Sequence, residues 1–206
     1  MSALILLTAA LFLTGCSETL RVVKLQNNLL TEKFTTVGIL QLPPSSYTTL
    51  HNIQPLRNKD FSISAQQALE RAVVKKRKNW NIIYSANITA TEPSLADAMA
   101  ACREKGVDIS DTATLEMMKK ASSILGFRYL LLLESVSIKD ASSAQSPAMA
   151  AFGSWVQLWD MSNGKLVYRA RNVSRPVTYA EKDFDDRLSD ALYDLFAEAI
   201  RPLPKL

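Results

Sequence analysis

Apolar residues recur every second position in some stretches of the chain and every third or fourth in others, and this switching of period outlines its elements. After an apolar run from Ala3 to Leu13, Ser17–Thr35 is polar at first. It then carries Val22, Leu25, Leu29 and Leu30 between Arg21 and Phe34, a weak helical stripe. Thr36–Leu42, TVGILQL, is β-branched and apolar and predicts a first strand. Pro43 and Pro44 stop it, because neither can donate to a sheet ladder. A stretch of Ser, Tyr, Thr and Asn runs on to about Ser62, longer than ordinary connections, and such loops are often functional or disordered. Ala65, Ala68, Leu69, Ala72 and Val73 predict a helix over Ser64–Lys78. It closes on Lys75, Lys76, Arg77 and Lys78, cations that the macrodipole favours at a helix C-terminus; the other reading is contact with anionic headgroups or an acidic partner. Trp80–Ser85 is a candidate second strand.

Pro93–Lys105 predicts a second helix, with Pro93 in its first turn and Gly106 past its end. A third, Thr112–Leu125, is capped by Asp111 and ended by Gly126. Leu115, Met118, Ala121, Ile124 and Leu125 share its apolar face, so its methionines read as core filler. Phe127–Ile138, FRYLLLLESVSI, begins as a continuous apolar run, the pattern of a central strand covered on both faces. Ala151–Met161 alternates, with Val156 and Leu158 on one face and Trp155, Gln157 and Trp159 on the other. Asn163-Gly164 predicts a type I′ hairpin into a return strand over Lys165–Val177, with Arg169, Arg171 and Val173 on the face of Val167. Arg169 and Arg171 are therefore either a partner surface or edge-strand charges that block sheet-to-sheet association. Glu181–Arg201 carries one stripe of Phe184, Leu188, Ala191, Leu192, Leu195, Ala199 and Ile200, acidic residues in its first turn, and Pro202 as its stop. The order predicts an α+β two-layer sandwich, helices on a mixed four- to five-stranded sheet, closed by a C-terminal amphipathic helix.

The opening run is too short to span a bilayer, which takes about 20 apolar residues, and it ends in small residues before a cysteine, as a signal peptide does. Leu13-Thr14-Gly15-Cys16 resembles the lipobox of bacterial lipoproteins. The resemblance implies cleavage before Cys16 and acylation of Cys16 as the first mature residue. The usual basic n-region is missing; either the start lies upstream or the amino terminus supplies the charge. Ser17 after the cysteine implies, by the same resemblance, sorting to the outer membrane. The expected organisation is a signal peptide over 1–15, a lipidated N-terminus and short tether over 16–35, and one periplasmic domain over 36–206.

Composition narrows the chemistry. The chain is 48% hydrophobic and 21% charged, which fits a packed domain and excludes a wholly disordered chain. The net charge of +4 is mild, a weak argument for nucleic acid or anionic lipid, and the sequence has no basic stripe interleaved with aromatics to support nucleic-acid binding. Of two cysteines, Cys16 belongs to the lipobox and Cys102 sits among alanines and Met99, where a buried apolar role is expected over a reactive thiol. His51 is the only histidine, so catalytic triads and multi-histidine metal sites rest on one loop residue, and no cofactor is expected.

The run from Leu125-Gly126-Phe127-Arg128-Tyr129-Leu130-Leu131, followed by Val156 through Tyr168, resembles the periplasmic domains related to the N-terminal domain of the Tol–Pal translocation protein. That group includes the curli-secretion lipoprotein and the lipoprotein activator of a penicillin-binding protein. The resemblance implies a structural domain over about Thr36 to Ile200 and brings no catalytic residues. The activators' long Pro-rich linker is absent here. A curli-type pore needs membrane hairpins with strands of about 9–11 residues, and the middle of Ser135–Trp159 lacks that alternation.

The expected function is thus a non-enzymatic, membrane-anchored adaptor of a cell-envelope assembly, held by lipid on Cys16 and binding an envelope protein through Tyr47 and His51 in the long polar stretch or through Arg169 and Arg171. The alternative is a cell-wall or small-molecule binding protein or hydrolase, with a carboxylate pair drawn from Asp108, Asp111, Asp140 and Glu134. The sequence leaves the oligomeric state open.

Overall fold

Four consecutive leucines, Leu130–Leu133, leave no side of a strand that can face water, and all four are buried in the middle of a sheet. The structure is a computed structural model describing residues 20–26, 36–41, 62–104, 109, 112–146, 148–179 and 183–204. The strand holding the leucines, β4 (Tyr129–Asp140), pairs parallel with β2 (Thr36–Gln41) and antiparallel with β5 (Met149–Asp160). Beyond β2 lies the short parallel β3 (Asn81–Ile83). Beyond β5 lie β6 (Lys165–Val173) and then β1 (Leu20–Leu25), both antiparallel to their neighbours, while β7 (Val177–Thr178) pairs with the start of β5. The sheet order is β1-β6-β5-β4-β2-β3.

Alternation along the strands sends side chains to two cores. Leu131, Leu133, Val156, Leu158, Tyr168 and Ala170 face α1 (Ser62–Lys76) and α5 (Phe184–Ala199). Leu130, Leu132 and Trp159 face the other way, against α2 (Ser85–Thr91), α3 (Leu95–Glu104) and α4 (Ala113–Leu125). The stripe of α5 is buried as its period predicts, with Leu192, Phe196 and Ala199 fully inaccessible.

The α+β class, the mixed sheet and the C-terminal helix agree with the sequence. The sheet has seven strands among the described residues, against four or five expected, and helices lie on both faces. Two local events account for the added strands. Leu20–Leu25 is a strand and not part of a helical stripe, because pairing with β6 and packing of Leu20 and Leu25 on the main core outweigh its weak helical pattern. The return strand breaks after Val173: Ser174 bonds back to Phe152 through its amide (2.7 Å) and its hydroxyl (2.9 Å), and Pro176 precedes β7. Likewise the segment expected as strand up to Ser85 turns helical at Ser85, whose hydroxyl donates to Ile39 O.

The hairpin falls where Asn163-Gly164 places it, but the turn is longer than the expected type I′. Met161–Gly164 bridges the paired Asp160 and Lys165, and of the two turn residues only Gly164 has positive φ, at 66°. The cause is Asp160, whose carboxylate accepts from Ser162 N (3.0 Å) and Ser162 Oγ (2.6 Å) and so builds a wider loop.

Candidate functional site: an open cationic sheet face

On the side of the sheet away from α5, helices α2–α4 cover only the end that holds Leu130, Leu132 and Trp159. At the other end, the face displays Arg169 and Arg171 of β6, Trp155 and Gln157 of β5, Arg21 and Lys24 of β1, and Lys139 of β4. These residues are brought together by register. Trp155 pairs with Arg171, which pairs with Arg21; Gln157 pairs with Arg169, which pairs with Lys24.

The placement of Arg169 and Arg171 corrects two expectations. They share no face with Val167, which is buried in the main core beside Tyr168; a register shift between Leu158 and Trp159 breaks the alternation there. Nor are they edge charges, because β1 covers β6.

Arg169 is held rigidly. Its guanidinium bonds Glu134 at 2.8 Å and 3.2 Å and lies over the Trp155 ring at 4.5 Å. Glu134 also accepts from Gln157 Nε2 (2.7 Å), and Gln157 Oε1 accepts from Trp159 Nε1 (2.7 Å). This chain of bonds exists because β4 carries a register shift between Leu133 and Ser135, which makes Glu134 the extra residue and turns its carboxylate onto the face. Arg171 is exposed and lies 6.0 Å from the centroid of the same Trp155 ring. Arg21, Lys24 and Lys139 are exposed as well.

Two like-charged pairs, Arg21 with Arg171 and Lys24 with Arg169, therefore stand directly opposite each other across β1 and β6. Directly opposed like charges destabilise a sheet. Sequence reading singled out Arg169 and Arg171 but missed Arg21, Lys24 and Glu134 as their neighbours. The alternating Arg-Ala-Arg was visible, whereas the pairing with β1 and the bulge at Glu134 are tertiary facts.

The remaining candidates separate. Glu134 and Asp140 lie six residues apart on one strand, roughly 20 Å by strand geometry, well beyond the spacing at which two carboxylates share acid and base work. Asp140 is exposed, and hydrogen bonds from Ser142 hold its carboxyl below the usual value. Cys102 is buried, with Sγ 3.2 Å from Thr114 Oγ1, in keeping with a small core residue. Leu13, Thr14, Gly15, Cys16, Tyr47, His51, Asp108 and Asp111 lie outside the described residues. The N-cap position of α4 is Thr112, whose hydroxyl donates to Ile109 O at 2.8 Å. Among the described residues there is no cluster of three potential metal ligands, and no helix is long and apolar enough to cross a membrane. A cleft of about 990 Å³ lies on the α5 side of the sheet, lined by residues of both signs, among them Arg175, Arg187, Asp190 and Asp194.

Fold and surface together define an α+β domain that presents an open, charged sheet face. No family model matches the chain, and no curated protein matches it. Among solved structures it is similar to a PelC dodecamer from Paraburkholderia phytofirmans, at 14% identity over 90% of this chain and 98% of that one, with a TM-score of 0.40. It is similar also to the lipoprotein GNA1162 from Neisseria meningitidis (11% identity, 80% of this chain and 99% of that one, TM-score 0.39). A third is the C-terminal domain of LpoB from Salmonella enterica (11% identity, 70% of this chain and 82% of that one, TM-score 0.37).

Proposed function

We propose that this chain is a lipid-anchored protein of the bacterial envelope, held in the outer membrane through Cys16, that works by binding and not by catalysis. The observation that carries the reading is the open face: a rigid network around Arg169, Glu134, Gln157 and Trp155 holds cations in place with nothing folded over them among the described residues. Such an arrangement is built for contact. The hydrolase alternative loses ground because Glu134 is engaged by Arg169 and Gln157, and Asp140 stands far along the strand. Two surfaces serve the binding: the polar stretch containing Tyr47 and His51, which faces a protein partner in this reading, and the face of Arg169 and Arg171.

The test has two arms. Cells fed labelled palmitate should incorporate it into the chain, and Cys16→Ser should abolish incorporation. Photo-crosslinkers at Tyr47 and His51 in the lipidated protein should capture one dominant envelope protein, identified by mass spectrometry. No palmitate would sink the anchor; no specific capture from either position would sink the adaptor role.

A further inference from the structure

Of the opposed cations of β1 and β6, Glu134 neutralises Arg169 alone among the described residues. Among the described residues Arg21, Lys24, Lys139 and Arg171 have no carboxylate partner, and Glu134 is taken by Arg169. The chain accepts Arg21 opposite Arg171, with Lys24 beside the already paired Arg169, and an external anion would relieve the Arg21–Arg171 opposition. The surface is a sheet face spanning four strands, β4, β5, β6 and β1, and such a broad face fits a flat array of negative charge.

Its position in the sequence points to one such array. β1 begins at Leu20, four residues after Cys16, a separation of at most about 14 Å when fully extended. The chain enters the sheet at the end where Arg21 pairs with Arg171. The field of an anionic membrane falls off over a Debye length of about 8 Å, and so short a tether lets the start of β1 come within that range. Across the sheet, the outer side of α5 exposes Asp186 and Asp194, which the same field repels, beside Asp190 and Glu198 paired with Arg71 and Arg201. We infer that the open face lies against anionic phospholipid headgroups of the membrane that holds Cys16, with Arg21, Lys24, Lys139 and Arg171 meeting the phosphates and α5 turned outward. The inference rests on the lipid anchor proposed above.

The experiment measures partition of the full chain carrying Cys16→Ser, which removes the acyl chains, onto phosphatidylglycerol-containing vesicles and onto pure phosphatidylcholine vesicles. The apolar opening segment binds both alike, so the ratio isolates charge. The ratio should fall with added salt. Arg21→Gln with Arg171→Gln should lower it roughly 30-fold, while Lys75→Gln with Lys78→Gln, the same change of net charge on exposed positions of the α1 side, should leave most of it. Unchanged circular dichroism of both double variants shows that they fold. A ratio near one, an equal loss in both double variants, or in-cell crosslinking from Arg171 to a protein instead of lipid would overturn the inference. Palmitate on Cys16 is read separately. A ratio near one in a palmitoylated chain sinks this inference alone; a high ratio without palmitate sinks the anchor alone and leaves a headgroup-binding face.

Discussion

Asp160 is a buried carboxylate held by five donor atoms, the longest contact being Asn163 Nδ2 at 3.4 Å. Arg128 bonds it at 2.8 Å and 3.3 Å, and the Ser162 amide and hydroxyl bond it at 3.0 Å and 2.6 Å. Burial by itself raises its pKa, but the hydrogen bonds and the charge of Arg128 prevail and hold the carboxyl below its usual value. A depressed folded pKa means that the contribution to stability is present above the unfolded value of about 3.9 and is lost as pH falls through the folded one. Asp160→Asn should therefore cost about 1.5–3 kcal/mol at neutral pH, and the gap to the unsubstituted protein should close in the acid range. Urea unfolding at neutral and acid pH reads this directly; a gap of constant size would show that the charge of Asp160 plays no part. The same residue explains why the hairpin is wider than Asn163-Gly164 suggests.

At the scale of elements, two glycines end helices and strands for different reasons. Gly126 closes α4 with φ 73°, donating its amide to Ser122 O at 2.8 Å, and a Cβ added there meets nothing within 4 Å. Gly126→Ala should then cost only the left-handed backbone penalty, about 1–2 kcal/mol. Gly164 has φ 66°, and a Cβ there would sit 3.0 Å from Leu115 Cδ2 and 2.8 Å from Lys119 Cε. Gly164→Ala adds a clash with α4 to the same penalty and should cost more. Thermal or urea unfolding of the two variants settles the order, and an equal cost would mean that α4 gives way freely. The α4–hairpin contact is also what covers one end of the sheet face and so sets the boundary of the open surface.

At the scale of the whole molecule, α5 is tied to the rest by its C-terminus. Arg77, at the end of α1, is buried to 2% exposure and donates to the carbonyls of Ile200, Arg201 (3.1 Å) and Leu203 (3.0 Å), while Tyr168 from β6 donates to Ala199 O. The orphan carbonyls of one helix are thus satisfied by an arginine of another and a tyrosine of the sheet. Burial lowers the pKa of Arg77, against a smaller opposing effect of Tyr168, and burial pushes the Tyr168 phenol up. Arg77→Met should leave these carbonyls unpaired and cost about 2–4 kcal/mol, with Arg77→Lys recovering only part, since a single ammonium nitrogen cannot also make the second prong of the guanidinium fork, Nη1 to Lys76 O at 2.8 Å. Urea unfolding checks it; full recovery by lysine would mean that charge alone, and not the fork, matters. The basic cluster Lys75–Lys78 was legible as cations at a helix end, but that Arg77 serves the end of α5 was not.

Periodicity alone was enough for β2, α1, α4, β4, β5 and α5, because each buries an apolar face whose spacing is written in its own residues. The α+β class follows from their order, and Cys16, Arg169 and Arg171 stand out in the sequence as residue types in a pattern. Tertiary structure decided the rest. Leu20–Leu25 is a strand only because β6 lies beside it, Arg21 faces Arg171 only through that register, and Glu134 reaches Arg169 only through a bulge in β4. A local pattern encodes which face of an element avoids water; which elements meet, and which charges they set opposite one another, depends on partners distant in the chain, and the open cationic face is made of such meetings.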